Sequence, residues 1–521
     1  MRAGDWRWPA LWFVLLLPLA ILFPPIPIDE TRYLTAAWEM FNSGQWLVPT
    51  INGAWYSDKS PLLFWLIAAG WKAFGVHTWV ARIEALIIAL SMLHMVRRLA
   101  ARLGFEARGA DAAMWLLAGC AGFVLFATAI MFDLLLALTV LGALHALLDL
   151  DARRYARGIA SLGLWIGFGM LAKGPVVLLH IAGVALLAPL WSESARAART
   201  RWYFSFLAGV LIGIAIIACW LIPAALYAGP SYWQPLIGKV TGRLHESFAH
   251  RRPFWWYLPL IPVLLLPWVF ALRAPLRAWR ILPRGRAGTF LLCWWLPPLI
   301  AFCAISGKQI HYLAPLLPAW ALSGASVLQD KVRLRGGLYA LFALLVAVGL
   351  GLLPGWAARA YGYPLQRPLM LFALVALAIS AGLWRAWARD VRSLALAATA
   401  LASVSLLSGA LALQPALDVR PEAAFVSSAL RAHVPIAHVE WHNGLFGYTG
   451  RLQRPLPVIA RARVLAWCRA HPDGWLLASD RGAEPAGVAP AREWPYLLSG
   501  SKRIGAWRAS DILAEYRSAQ D

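Results

Sequence analysis

Apolar runs recur along most of the chain, each near the roughly 20 residues that a helix needs to cross a bilayer, and each ends in a short polar segment. About thirteen spans can be drawn, over residues 8-24, 79-97, 112-130, 132-149, 159-172, 175-191, 204-226, 254-272, 289-305, 312-328, 336-353, 369-386 and 392-413. The pattern predicts a polytopic α-helical membrane protein. Trp8 to Phe23 has basic residues in front but no small-residue cleavage site behind it, so it is expected to stay as the first span rather than be removed as a signal peptide.

Two segments of the first inter-span stretch, residues 25-78, have a shorter period. TRYLTAAWEMFN places Leu34, Ala37, Trp38 and Phe41 on one helical face, with Arg32, Thr35 and Glu39 elsewhere, and stops at Asn42-Ser43-Gly44. It predicts an amphipathic helix lying in the membrane interface. A second helix should start at Ser60-Pro61 and stop at Gly75. Residues 227-253 read as a second large loop. From residue 414 the chain changes character: PEAAFVSSALRAH and RARVLAWCRAH predict helices, and IAHVEWH and GWLLASD predict short strands. Residues 414-521 are therefore expected to form a small soluble α/β domain behind a membrane domain of residues 1-413.

Composition supports this organisation. Of 521 residues 60% are hydrophobic and only 14% charged, with 30 Trp, and the mean hydropathy is +0.62. The formal charge of +23 would suggest nucleic acid in a soluble chain. Here the arginines cluster between spans, as with Arg97, Arg98 and Arg102, or Arg153, Arg154 and Arg157, so they read as topology signals. Retention of these loops inside puts the N-terminus in the cytoplasm and residues 25-78, 227-253 and 414-521 outside. Four of the five cysteines lie within apolar runs and the fifth, Cys468, stands alone, so neither a disulfide framework nor a cysteine metal site is expected.

Most non-arginine polar chemistry falls on the outer side. Asp29 and Glu30 end the first span. Asp29 could serve as a helix cap, and Lys59, ahead of a helix N-terminus, as either a phosphate receptor or a snorkelling lysine. Asp133, Lys173, Arg243, His245, Lys308, His311 and Tyr312 recur at the same level. Ionisable residues gathered at one end of membrane helices mark a functional site. Cations with one or two carboxylates suit an anionic lipid headgroup and a nucleophile that must lose a proton. A transporter or lipid flippase is the rival class, but it calls for polar groups at the bilayer midplane and repeated halves, and neither is visible.

DETRY, YSDKSPLLFW, MFD, LAKGP, RRPFWWY followed by LPW, and SGKQIHYLAPLLP occur in that order between about residues 20 and 325. Together they resemble the GT-C glycosyltransferases of the bacterial lipid A aminoarabinose transferase and protein O-mannosyltransferase type. The resemblance implies a GT-C fold and inverting transfer of a sugar from a polyprenyl monophosphate, such as undecaprenyl phosphate, to a lipid or glycan acceptor on the periplasmic face of the inner membrane. Transfer of mannose to protein is the alternative acceptor class; membrane lipids surround the enzyme and nucleic acid is not a partner. By motif, Asp29 matches the catalytic aspartate and Asp133 a second external carboxylate. Lys59, Arg243, Tyr56 and Tyr312 match groups around the donor phosphate. Glu30, Arg32, Asp58, Lys173, His245, Lys308 and His311 are expected to line the same cavity. Asp58-Lys59-Ser60 stands where the family usually has Glu-Lys-Pro, and IGKV before Arg243 lacks the His and acidic residues of metal-binding members. No cofactor is therefore expected to be required, and a divalent metal is an alternative weakened by those missing ligands.

Overall fold

A computed structural model describes residues 6–245, 251–271, 285–329, 336–361, 368–386, 390–485, 487–496 and 503–518. It is a helical bundle with one sheet-bearing layer at one end. The first helices are α1 (Arg7–Leu22), α2 (Asp29–Ser43), α3 (Leu62–Phe74), α4 (Thr78–Arg102), α5 (Ala107–Ala118), α6 (Ala121–Ala127), α7 (Phe132–Asp151), α8 (Tyr155–Lys173) and α9 (Val176–Leu186). Helix α7 is apolar nearly all round and buried along most of its length, as expected of a central helix, with α4, α8 and α9 packed about it.

Helix α8 lies along Arg199–Ala228 through glycines on both sides. A methyl group on Gly163 would come within 2.4 Å of Ile212, and one on Gly213 within 2.5 Å of Ile166. Small residues four apart on facing helices, Gly163 and Gly167 against Gly209 and Gly213, let apolar helices approach closely where lipid offers no hydrophobic drive.

Among the described residues five helices are long and apolar enough to cross a membrane, or six if the bent pair α5 and α6 is one span. The expected span over 112-130 is that pair, bent by 65°. The carbonyls freed at the bend find partners in neighbouring helices: Ala118 O accepts from Trp12 Nε1 at 3.0 Å and Thr399 Oγ1 at 3.2 Å, and Leu116 O accepts from Trp268 Nε1 at 2.7 Å. Such repair makes a broken helix tolerable in an apolar medium. The expected span over 254-272 is likewise broken, into Phe254–Tyr257, Leu260–Leu264 and Trp268–Ala271, because prolines punctuate it. The expected span over 312-328 opens as a 3-10 turn, Ile310–Leu316, before Leu317–Gln329. Residues 227-253 are not simply a loop, since Pro230–His245 is helical.

Beyond the last long apolar helix, Val391–Leu417, lies the helix Arg420–Arg431 and a five-stranded sheet. Its order is Val458–Ile459, Ile436–Val439, Trp475–Ala478, Arg503–Arg508, Arg492–Pro495. The first three strands are parallel, with Ile436 opposite Trp475, and the last two run antiparallel. The strands at 436–439 and 475–478 match the pattern of the sequence; those at 458–459, 492–495 and 503–508 do not announce themselves there.

This layer sits on α2. Thr35 Oγ1 donates to Gly444 O at 2.6 Å and accepts from Tyr448 N at 3.0 Å, and Trp38 Nε1 donates to Leu452 O at 2.9 Å. Helix α2 therefore does not turn one face to water. It is buried on both sides, with its polar Thr35 turned to a protein carbonyl.

Candidate functional site

The chain leaves α1 through Phe23-Pro24-Pro25-Ile26-Pro27-Ile28 and re-enters helix at Asp29. Prolines cannot donate to a continuing helix, so the carboxylate is presented at the rim of the bundle. Ile28 holds the N-cap position with no side-chain bond, so Asp29 does not act as the cap. Its side chain is 42% exposed and pairs with Arg32, one turn on. Tyr33 also donates its hydroxyl to the carboxylate, at 3.3 Å. Burial, and then the Asp29 charge, raise the Tyr33 hydroxyl well above the usual phenol value, so it stays protonated and acts as a donor. Both contacts fall on Oδ1; among the described residues nothing bonds Oδ2.

The neighbouring carboxylate turns the other way. Glu30 is 3% exposed and accepts from Arg82 Nη2 at 2.5 Å, Ile26 N at 2.8 Å and Ile130 N at 2.9 Å. Arg82 also donates to the carbonyls of Phe23 and Pro24, at 2.6 and 2.8 Å. Glu30 is thus an internal brace rather than part of an open cavity.

Asp133 lies in the first turn of α7, 3% exposed. One oxygen is paired with Lys173, the last residue of α8, and the other is 3.9 Å from His311 Nε2. The Lys173 ammonium sits over the Tyr312 ring, 4.9 Å from its centre. Burial pulls the His311 imidazole down to about 4; Asp133 opposes that, and Lys173 and Lys59 reinforce it. The ring is therefore neutral near pH 7.

Lys59 precedes α3, where Pro61 rather than Ser60 occupies the N-cap position. Its ammonium lies 5.9 Å from the Tyr33 ring centre and 5.6 Å from that of Phe132. An aromatic wall continues from there: Tyr33 meets Phe132 edge-on at 4.9 Å, Phe132 meets Phe64 at 5.3 Å, and Tyr56 lies 6.3 Å from Phe64. Asp58 is half-buried beside Lys59.

Asp29, Arg32, Tyr56, Lys59, Asp133, Lys173, His311 and Tyr312, expected on separate motifs, thus meet at one end of the bundle. Arg243 and His245 lie at the end of the helix Pro230–His245, but their side chains are outside the described residues. Lys308, like Glu30, turns elsewhere. Its ammonium donates to Arg252 O at 3.3 Å and to Ile305 O, so it pins a turn instead of facing the carboxylates, and burial pulls it below the usual lysine value. That turn joins two of the motifs: Arg252 N donates to Ser306 O at 3.1 Å, and the Tyr257 hydroxyl donates to Gln309 O at 3.2 Å. Among the described residues no three His, Cys, Asp or Glu side chains are grouped to hold a metal ion.

The family model described as dolichyl-phosphate-mannose-protein mannosyltransferase matches residues 58–222, a range that holds Lys59, Asp133 and Lys173. An undecaprenyl phosphate-α-4-amino-4-deoxy-L-arabinose arabinosyl transferase of Pseudomonas paraeruginosa is 31% identical over 452 residues, 79% of this chain and 78% of that protein. The chain belongs to this family of arabinosyl transferases. Another family member, from Pseudomonas aeruginosa strain UCBPP-PA14, is 32% identical over 72% of this chain and 70% of its own length. ArnT from Cupriavidus metallidurans in the apo state superposes with a TM-score of 0.76 at 18% identity, covering 97% of this chain and 98% of that one. The same enzyme bound to undecaprenyl phosphate gives 0.75 at 18% identity, covering 96% and 98%. These establish the GT-C fold for this family member.

Three features escaped the motif reading. Arg82 lies within an expected span, and an arginine at that depth is itself a signal. Tyr33 was masked by its place inside an amphipathic helix. Asn52-Gly53, with both residues at positive φ, turns the hairpin between Thr50–Ile51 and Ala54–Trp55; that dipeptide is the strongest short hairpin signal.

Proposed function

We propose that this chain transfers 4-amino-4-deoxy-L-arabinose from undecaprenyl phosphate to a lipid A-type acceptor on the periplasmic face of the inner membrane. The acceptor oxygen attacks the anomeric carbon opposite the phosphate, the bond from that carbon to the phosphate oxygen breaks, and undecaprenyl phosphate leaves. An acceptor hydroxyl passes its proton to Asp29 Oδ2. Arg32 and Tyr33 hold Oδ1 and so aim the open oxygen. Lys59 and, from the helix end, Arg243 bind the donor phosphate and offset the charge it gains on leaving. Asp133 keeps Lys173 and the neutral His311 in place beside the Tyr312 ring. Two cations suffice for a monophosphate leaving group, and no step here requires a divalent ion.

The observation that carries this reading is the half-exposed Asp29 carboxylate, held by one oxygen, with the Lys59 ammonium 5.9 Å from the centre of the Tyr33 ring that donates to it. The arginine-rich loops at the other end of α4 and α7 support a cytoplasmic N-terminus. With them go about thirteen crossings, counting broken and short helices, a membrane domain of residues 1–413 and a periplasmic domain of residues 414–521. The test uses purified Asp29→Asn protein in vesicles with donor lipid. Transfer, followed by mass spectrometry of the acceptor, should vanish while donor lipid still binds; near-normal turnover overturns the assignment.

A further inference from the structure

At the far end of α2 from Asp29 lies a cavity of about 290 Å³, at the small end of the roughly 300–1,000 Å³ of small-molecule sites. Its walls come from three parts of the chain: Trp38 and Glu39 of α2, Gln45, Asn52 and Trp55 of the stretch holding the hairpin, and His442 of the sheet layer. Glu39 is ten residues beyond Asp29, about 15 Å along the helix at ~1.5 Å per residue, so the cavity is separate from the carboxylate and lysine cluster.

The lining carries unused hydrogen-bonding capacity. His442 is 2% exposed, and among the described residues neither of its ring nitrogens has a partner. Gln45 spends its Oε1 on the amides of Leu47 and Val48, at 2.8 and 2.9 Å, while its Nε2 and the Asn52 Nδ2 are buried and unpartnered among the described residues. Buried polar groups that the protein itself leaves unsatisfied call for a partner from outside it.

The chemistry of the lining selects a ligand class. Burial holds the His442 imidazole well below its usual value, so the ring is neutral and offers one donor and one acceptor. The two amide groups add donors. Glu39 accepts from Thr50 Oγ1, Asn52 N and Gly53 N, at 2.6, 2.7 and 3.2 Å. Trp38 and Trp55 add indole surface. Donors and acceptors beside indole rings suit a sugar, whose hydroxyls both donate and accept and whose C–H faces are apolar. A phosphate would find no cation among these six residues.

We infer that this cavity binds a pyranose ring of the acceptor's glycan, a sugar that is held but not modified. Assigning that ring to the acceptor rests on the transferase reading above; the sugar-binding chemistry does not. The site fixes the acceptor at a distance from its reacting oxygen, and a remote contact of this kind orients the reaction.

Saturation-transfer NMR on the detergent-solubilised full chain, with methyl β-D-glucopyranoside and its 2-amino analogue as probes, tests the inference. Ring protons of at least one probe should receive saturation at millimolar concentration. Gln45→Glu and Asn52→Asp exchange each unpartnered NH₂ donor for a carboxylate oxygen that can only accept, and His442→Phe keeps the ring shape. Each should cut the signal at least fivefold while undecaprenyl phosphate binding is unchanged. No saturation transfer, as a cavity filled by water alone would give, overturns the inference; so do equal signals in all three variants, or displacement of the probe by undecaprenyl phosphate. Sugar transfer measured on the same preparations separates the two readings: normal transfer with no probe binding sinks only this site, and probe binding without transfer sinks the enzyme assignment and with it the acceptor as the source of the sugar, leaving the sugar site.

Discussion

Arg82 and Glu30 form an ion pair of 2.5 Å in which the side chains are 0% and 4% exposed. The pair fixes three things at once: the carbonyls of Phe23 and Pro24 where α1 ends, the start of α2, and the amide of Ile130 just before α7. Asp29 and Asp133 are carried on the two segments so joined, one residue before Glu30 and three beyond Ile130. The spacing of the two site carboxylates is therefore set by a pair that faces away from any substrate.

Removing one partner of a buried pair leaves an uncompensated charge, at a cost of about 3–5 kcal/mol. Arg82→Met should lower the melting temperature and the folded yield sharply. Adding Glu30→Gln removes the stranded charge and should recover part of the stability but little transfer activity, because the Ile26 and Ile130 contacts lose their charged acceptor. Thermal unfolding in detergent, with donor-lipid binding as a second readout, checks both. A single variant that melts like the parent refutes the brace.

Tyr33→Phe tests the aiming of Asp29. A hydrogen bond to a charged acceptor contributes about 1.5–3 kcal/mol, so losing it from a bond used in the reaction should slow turnover by roughly ten- to a hundredfold. The aromatic contacts to Phe132 and Phe64 remain, and with them the melting temperature and the donor affinity. A variant that loses affinity but keeps its turnover would place Tyr33 in donor binding instead.

What the sequence revealed of this site, and what it hid, follows from how each residue is used. Asp29, Lys59, Asp133 and Lys173 stand at element ends, where a polar residue breaks an apolar run and is visible as a break. The Arg82–Glu30 brace was hidden because its meaning lies in a pairing across 52 positions. Lys308 looked like its neighbours, but a lysine can bond carbonyls of its own turn, and pattern alone does not tell the two apart. Helix α2 was legible as a helix with its stop at Gly44, whose φ of 70° fits the left-handed stop. Its second buried face was not, since Thr35 reads as solvent-facing until a carbonyl from residue 444 covers it. The broken span at 254–272 was hidden by average hydropathy, which counts apolar residues and ignores what its prolines do to the backbone.

Gly447 measures the seam between α2 and the sheet layer. A Cβ there would lie 2.5 Å from Thr35 Cγ2 and 3.0 Å from Thr35 Oγ1, and Thr35 is already held by two bonds to the same segment. Overpacking of this kind costs roughly 1–3 kcal/mol. Gly447→Val should therefore loosen the layer, giving faster proteolysis between residues 414 and 521 while the apolar helices stay intact. Unchanged cleavage kinetics would show that the seam adapts without loss.

Acid should destabilise this protein through its buried neutral histidines. Burial lowers His311 and His438 from 6.5 to about 4 and holds His442 well below 6.5. Between about pH 6.5 and 4 the unfolded chain therefore binds protons at these rings that the folded chain does not. Stability rises with pH wherever the unfolded state holds more protons, so the melting temperature should fall as pH drops through that window and level off above it. His438→Phe should flatten the slope, as should His311→Phe, where Asp133 keeps Lys173 as its partner. A steepness identical to the parent in both variants would assign the acid sensitivity to the carboxylates instead.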